Sequence, residues 1–182
     1  MDLEGVLSNI KNGSIQKDLI FQIRDHQKTE KDYKGLKKQL GAFTPSGTFN
    51  DSHKATDLRV YSKIVVLDID KLGERKIKQV KKKAIECLYS LAVFISPSGT
   101  GLKILVKVDT DKEMHDVAFQ QVKSYYESLL SIKVDESGKD VSRLCFISYD
   151  PELYHNVDSN VFNSGCLLCG FSICNNGNKR KI

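Results

Sequence analysis

KIVVLDID, residues 63–70, is the stretch on which the fold turns. It is apolar and β-branched until two acids interrupt its end, the composition of a buried strand. Working outward, GERKIKQVKKKAIECLYS (73–90) sets Ile77, Val80, Ala84 and Leu88 at helical spacing. LAVFIS (91–96) reads as a second strand. LKILVKV (102–108) reads as a third, with Leu102, Ile104, Val106 and Val108 on one face and Lys103, Leu105 and Lys107 on the other. Thr110 followed by Glu113 gives a capping-box signal. Met114, Val117, Ala118, Val122, Tyr125 and Leu129 then form the apolar stripe of a second helix. IKVDESGKD (132–140) reads as a short extended piece and a turn, and RLCFISY (143–149) as a fourth strand. Strand, helix, strand, strand, helix, strand is the split β-α-β order of ferredoxin-like folds. The handedness of crossovers leaves few ways to assemble it. The expectation is an α+β chain whose RRM-like, ferredoxin-like core spans residues ~63–149, behind an N-terminal α/β extension. Its strands would lie in the order four, one, three, two, with all neighbours antiparallel.

The rest of the chain sets bounds. Its 182 residues, 40% hydrophobic and 28% charged, suit one soluble globular domain, with room for a tail. No apolar run approaches the ~18 residues of a membrane span. The opening MDLEGVLSNI is too short in its apolar part for a secretory signal, so a cytoplasmic location is expected and no membrane partner. The net charge of +5 is compatible with a polyanionic partner. Residues 1–40 look helical in pieces, with the lysine-rich KTEKDYKGLKK at 28–38, and residues 41–59 read as a polar loop. The lysines of the first helix (Lys76, Lys78, Lys81, Lys82 and Lys83) fit a solvated face better than a nucleic-acid track. Cys87 and Cys145 sit in apolar runs as core residues, while Cys166, Cys169 and Cys174 gather near the C-terminus. CLLC (166–169) has the spacing of a zinc half-site, with His155 the nearest histidine. No GxxxxGK[ST] phosphate loop is present, which excludes a P-loop ATPase within this chain. No His-x-His pair is present either, which argues against a rolling-circle-type nuclease.

The expected topology brings distant residues together. Strand one ends at Asp70, while strand three begins at Lys103 and strand four near Arg143, both reversed beside strand one. Asp68, Asp70, Lys103, Asp140 and Arg143 would therefore meet at one edge of the sheet. Asp68 and Asp70 are two apart, so their side chains leave one face while Leu67 and Ile69 point to the helices. Paired carboxylates favour a neutralising cation, and Mg²⁺ or Mn²⁺ accepts such oxygen ligands. Two such ions can activate a 3′-hydroxyl and steady a leaving pyrophosphate. Asp135 and Asp140 compete for the place of a third catalytic carboxylate, Asp140 being the expected metal ligand; either could instead belong to the turn around Gly138. SPSGTG (96–101) supplies backbone amides suited to phosphate, with Ser96, Ser98, Gly99 and Gly101 leaving them accessible. Lys103 adds a point charge, and the Arg143 guanidinium could clamp a triphosphate or pair with Asp70 or Asp140.

LDIDKL (67–72), SPSGTGLK (96–103) and KDVSRLCFISYDPELYHN (139–156) together resemble the VirE-N-type domain of the archaeo-eukaryotic primase superfamily, known chiefly from Bacteroidetes and their mobile elements. KGLKKQLGAFTPSGTF (34–49) is similar to that family's lead-in, so the resemblance covers roughly residues 20–157. It implies a primase-polymerase palm and divalent-metal-dependent nucleotidyl transfer on a single-stranded DNA template. It also implies nucleoside triphosphates as substrate and, as a partner, a separate helicase-like ATPase. The superfamily's paired acids fall on Asp68 and Asp70, and its small-residue loop on Ser98, Gly99, Gly101 and Lys103. Its third acid falls on Asp135 or Asp140. Lys103 stands where active primases of the superfamily usually carry histidine; lysine binds phosphate but cannot act as a neutral imidazole does. Beyond about Val157 the pattern stops, so a domain over 1–157 and a short cysteine-containing tail over 158–182 are expected. The competing expectation is a catalytically inactive nucleic-acid- or nucleotide-binding module on the same fold. Strand three has no aromatic residue for base stacking, and strand one ends in acids, which count against an RRM-type reader.

Overall fold

A computed structural model describes residues 2–13, 16–25 and 35–164. The Cys166, Cys169 and Cys174 cluster and most of the lysine-rich 28–38 segment lie outside the described residues. Two helices come first, α1 (Leu3–Asn12) and α2 (Lys17–Asp25). Asp2 caps α1 by accepting a hydrogen bond from the Gly5 amide at 2.9 Å, and Glu4 and Lys11 sit at the ends that suit the helix dipole. Then follow β1 (Ala42–Phe43), β2 (Gly47–Phe49), β3 (Leu58–Tyr61), β4 (Ile64–Ile69), α3 (Glu74–Ile85), β5 (Ser90–Ile95), β6 (Leu102–Lys107), α4 (His115–Leu130), β7 (Cys145–Phe146) and β8 (Tyr154–His155). The class is α+β.

The main sheet has the order β4-β6-β5-β8, antiparallel throughout. Alternation along its strands produces two apolar faces. Val65, Leu67, Ile69, Val93, Leu102, Ile104 and Val106 pack against Ile77, Val80 and Ala84 of α3 and Ala118, Phe119, Val122 and Tyr126 of α4. Ile64, Val66, Phe94 and Leu105 face the other way and are covered by Val6, Leu7 and Ile10 of α1 together with Cys145 and Leu153. A third cluster joins Ile20 and Ile23 of α2 to Leu40.

The sequence placed a fourth strand at 143–149, beside strand one. The structure corrects this: only Cys145–Phe146 is extended, it pairs with Ala42–Phe43, and the fourth place in the main sheet goes to Tyr154–His155 beside β5. The cause lies on the free edge of β4, which is already occupied. The Asp135 amide donates to the Asp68 carbonyl at 2.8 Å. Gly138 packs so close that an added Cβ would lie 2.4 Å from the Val66 carbonyl oxygen. The 143–150 segment instead crosses the end of the sheet. There the Ile147 amide donates to Gly41, the Asp150 amide donates to Ile10, and the Ser148 hydroxyl donates to Ile95.

Smaller expectations also shift. The stretch 41–59, read as loop, contributes β1 and β2, and β2 pairs with β3. The capping box at Thr110 and Glu113 does not form: a 3₁₀ turn, Lys112–Met114, leads into α4 without a side-chain cap. The buried stripe of α4 is His115, Ala118, Phe119, Val122, Tyr126 and Leu130, while Met114 and Leu129 are exposed. The buried face is turned by about one position, ~100°, from the expected one. Leu88 lies beyond the end of α3 and is 70% exposed. Between Asp158 and Ser164 the chain stays on the body, with the Asn160 amide bonded to Leu88 and the Phe162 amide to Lys107. Among the described residues, no helix is long and apolar enough to cross a membrane.

Candidate functional site

The residues that could do chemistry converge where β4 and β6 pair. Asp68 and Lys103 are direct cross-strand partners, and Phe94 lies opposite Lys103 on the far side. All three project to the α1 face, as alternation requires. The Lys103 Nζ and the Asp68 Oδ2 form an ion pair with both side chains buried. The Arg143 Nη2 stands 3.7 Å from the same Oδ2, half-exposed, so the guanidinium reaches this edge although its strand does not form there. The other oxygen, Asp68 Oδ1, is buried and has no hydrogen-bond partner.

Asp70 lies just past β4, with much but not all of its side chain open to solvent. Partial burial, and then the charge of Asp68, push its carboxyl above the ordinary range, against the pull of Lys103. Its Oδ1 lies 3.2 Å from where a Cβ on Gly101 would stand, so the strand end and the glycine loop abut. Gly101 admits no side chain, because that Cβ would also meet the Ile69 carbonyl oxygen at 2.7 Å and Ser96 Oγ at 2.8 Å. Asp135 and Asp140 are both held ionised, for different reasons. Hydrogen bonding from Ser137 keeps Asp135 low, helped by Arg143 and Lys103. Hydrogen bonds from the Ser142 amide and hydroxyl, each 2.8 Å, keep Asp140 low. The charge of Asp135 is felt at Asp70, whereas that of Asp140 is felt at His115. Both acids also belong to the turns flanking Gly138, Asp135 as the cap of the 3₁₀ turn Glu136–Lys139.

The loop 96–101 uses much of its hydrogen-bonding capacity on itself. The Gly99 amide donates to the Ser96 carbonyl at 2.9 Å, the Gly101 amide to Ser96 Oγ at 3.1 Å and the Ser96 amide to the Gly101 carbonyl at 2.8 Å. Ser96 and Ser98 share a further bond of 2.9 Å between their hydroxyls. The expected row of free amides is therefore largely occupied, and the positive charge of the site comes from Lys103 and Arg143.

Sequence reasoning missed several participants. Lys81, read as part of a solvated face, is 6% exposed and bonded at 2.8 Å to the equally buried Asp150. The signal was present: Ile77, Val80, Lys81 and Ala84 fall at i, i+3, i+4 and i+7, on the buried stripe. His115 is buried, with its Nδ1 2.9 Å from the Tyr61 hydroxyl. Burial pushes its imidazole below the usual range. Arg24 carried no local signal.

The fit of a divalent cation can be tested on these atoms. An orphaned, buried carboxylate oxygen beside a second carboxylate destabilised by the first is an arrangement that a hard cation relieves. Among the described residues, no group of three or more His, Cys, Asp or Glu side chains is drawn together as a metal site. A shallow groove of 610 Å³ between α3 and the end of α4, lined in part by Lys76, Lys82 and Lys83, contains none of these groups.

No curated protein and no solved structure matches the chain. A family model described as BT4734-like, N-terminal domain matches residues 35–155, a span that contains β1 to β8 and every acid, lysine and arginine of the convergence at Asp68. With well over half its length matched, the chain belongs to the BT4734-like N-terminal domain family.

Proposed function

We propose that this chain is a primase-polymerase-like nucleotidyltransferase of the VirE-N type, transferring nucleotides on a single-stranded DNA template in the replication of a mobile element or phage. One observation carries the proposal: Asp68 stands between the two cations Lys103 and Arg143 while its second oxygen has no partner. Mg²⁺ or Mn²⁺ would be held by Asp68 and Asp70, with waters and the nucleotide's own phosphates completing its shell. When bound, such an ion supplies charge neutralisation at a nucleotide's phosphates. The chain's own part is positional. Lys103 and Arg143 attract and orient the triphosphate, and the buried walls around Asp68 keep water from screening Lys103. In the absence of nucleotide, Lys103 serves as the counter-ion of Asp68.

The second reading is a nucleotide-binding module without catalysis. It is favoured by lysine at position 103 and by the tightness of the Lys103–Asp68 pair. An RRM-type reader is disfavoured on physical grounds, since the sheet face that would stack bases is filled by Val6, Leu7 and Ile10.

The test is metal-dependent incorporation of dNTP or NTP on a single-stranded template. Asp68→Ala and Asp70→Ala should each abolish incorporation. Nucleotide binding without incorporation by the unaltered chain supports the second reading. Incorporation that survives both substitutions removes these acids from any catalytic role.

A further inference from the structure

The loop 96–101 is held from outside itself, and the clasp includes a helix that lies before the family match of residues 35–155. At the loop's entry, the Ile95 amide donates to Asp150 Oδ2 at 2.8 Å and the Ile95 carbonyl accepts from Ser148 Oγ at 2.6 Å. Asp150 is itself fixed by Lys81 at 2.8 Å and by the Glu152 amide at 3.0 Å. Over the loop lies Arg24 of α2. Its Nε donates to the Pro97 carbonyl at 3.3 Å and its Nη2 to the Tyr149 carbonyl at 2.7 Å. Gly99 takes a φ of +77°, and a Cβ there would meet three atoms of the Arg24 side chain at 3.4 Å. Gly99 thus supplies both the left-handed turn and the flat surface on which the arginine lies.

α2 is docked to allow this. Lys17, Phe21 and Arg24 fall at i, i+4 and i+7, so they share one face. The Lys17 Nζ lies 4.6 Å from the Tyr149 ring centroid, and the Phe21 ring meets Tyr149 edge-on at 5.6 Å. Tyr149 is the post, and the Arg24 fork ties the loop to it. Two carbonyls from distant parts of the chain are bridged by one planar group, a task that a point-like ammonium performs poorly.

We propose that Arg24 is a positioning residue: it holds the Ser96–Gly101 loop against the 148–150 segment, and nucleotide affinity at the Asp68–Lys103 edge depends on that clasp. The second half of this rests on the nucleotide reading above, and the first half does not. The test uses the full chain with Arg24→Met, which keeps the apolar stem and removes the fork, and with Arg24→Lys, which keeps the charge and serves one acceptor at most. Amide hydrogen exchange is followed at Gly99 and Gly101, whose N–H groups bond to Ser96, and at Ile104 to Val106 as a reference within β6. Calorimetry with dATP and Mg²⁺ measures affinity. In Arg24→Met, exchange at the loop should rise about tenfold or more with β6 unchanged, and dATP should bind about tenfold more weakly. Arg24→Lys should fall between this variant and the unaltered chain. Loop exchange unchanged in both variants overturns the proposal. So does a rise shared equally by β6, which would make Arg24 merely structural, and so does a loosened loop with full dATP affinity. A loosened loop in a protein that binds no dATP in any form upholds the clasp and sinks the nucleotide reading instead.

Discussion

Asp68 and Lys103 are 6% and 8% exposed, and the consequence of losing one depends on whether the other remains. A lone buried charge is costly, while an apolar pair of similar volume is often neutral or better. With only the half-exposed Arg143, 3.7 Å away, left to face Asp68, Lys103→Met should destabilise the fold by up to about 3–5 kcal/mol, and adding Asp68→Leu should recover most of that loss. Urea unfolding of the two variants checks this, and a double variant no more stable than the single one would show that the pair is not the source of the effect. Asp70 presents the opposite case. Its carboxyl is raised above 3.8 in the fold by burial and by the charge of Asp68, so ionisation is disfavoured there relative to the unfolded chain. The stability advantage of the protonated form is complete below 3.8 and is lost as pH rises through the raised folded value. Asp70→Asn should accordingly stabilise the protein at pH 7, and the gain should vanish on acidification below 3.8, as read from denaturant midpoints across pH.

At the scale of elements, the turn that follows α4 determines what may flank β4. Gly138 lies against the Val66 carbonyl and Phe119, and a Cβ would come within 2.4 Å and 2.6 Å of them. Backbone and a packed ring cannot both retreat, so Gly138→Ala should cost about 1–3 kcal/mol through overpacking, measurable as a lowered thermal midpoint. An unchanged midpoint would mean that the turn is only loosely seated on the strand. This turn explains why RLCFISY does not become a sheet neighbour of β4: the edge it would need is occupied by the Asp135 amide and by Gly138. It also explains why Arg143 still reaches Asp68, because the chain leaves the turn beside that edge before crossing the sheet end.

At the scale of the whole molecule, the sheet is covered on both faces, by α3 and α4 on one and by α1 with the 145–153 segment on the other. Ile10 is fully buried in that second layer. Ile10→Ala should lower stability by about 2–5 kcal/mol while leaving the affinity for a labelled single-stranded oligonucleotide unchanged, since that face is interior. A weakened affinity in the still-folded variant, read by fluorescence anisotropy, would return the sheet face to consideration as a nucleic-acid surface. Much of the architecture was legible from local pattern. Period-two alternation in 64–69 and 102–107 identified which side chains share a face, and period 3.6 in 74–85 located the helix that follows β4. The juxtaposition of Asp68 with Lys103 followed from strand order, and the direct register confirms it. Lys81 was legible in principle from its place on the apolar stripe. Arg24 and Asp150 were not, because their partners, Pro97 with Tyr149 and Lys81 with Ile95, are remote in sequence and leave no periodic trace.

The amino-acid order alone determined the class, which residues of the central strands share a face and the meeting of one acid with one lysine, because these follow from backbone periodicity and from the few permitted crossovers. Only the tertiary structure decided which strand closes the sheet, which oxygen of Asp68 is left without a partner and what clasps the glycine loop. Those outcomes depend on competition for the same carbonyls and the same space by segments far apart in the chain, and such competition is resolved only when the segments are packed together.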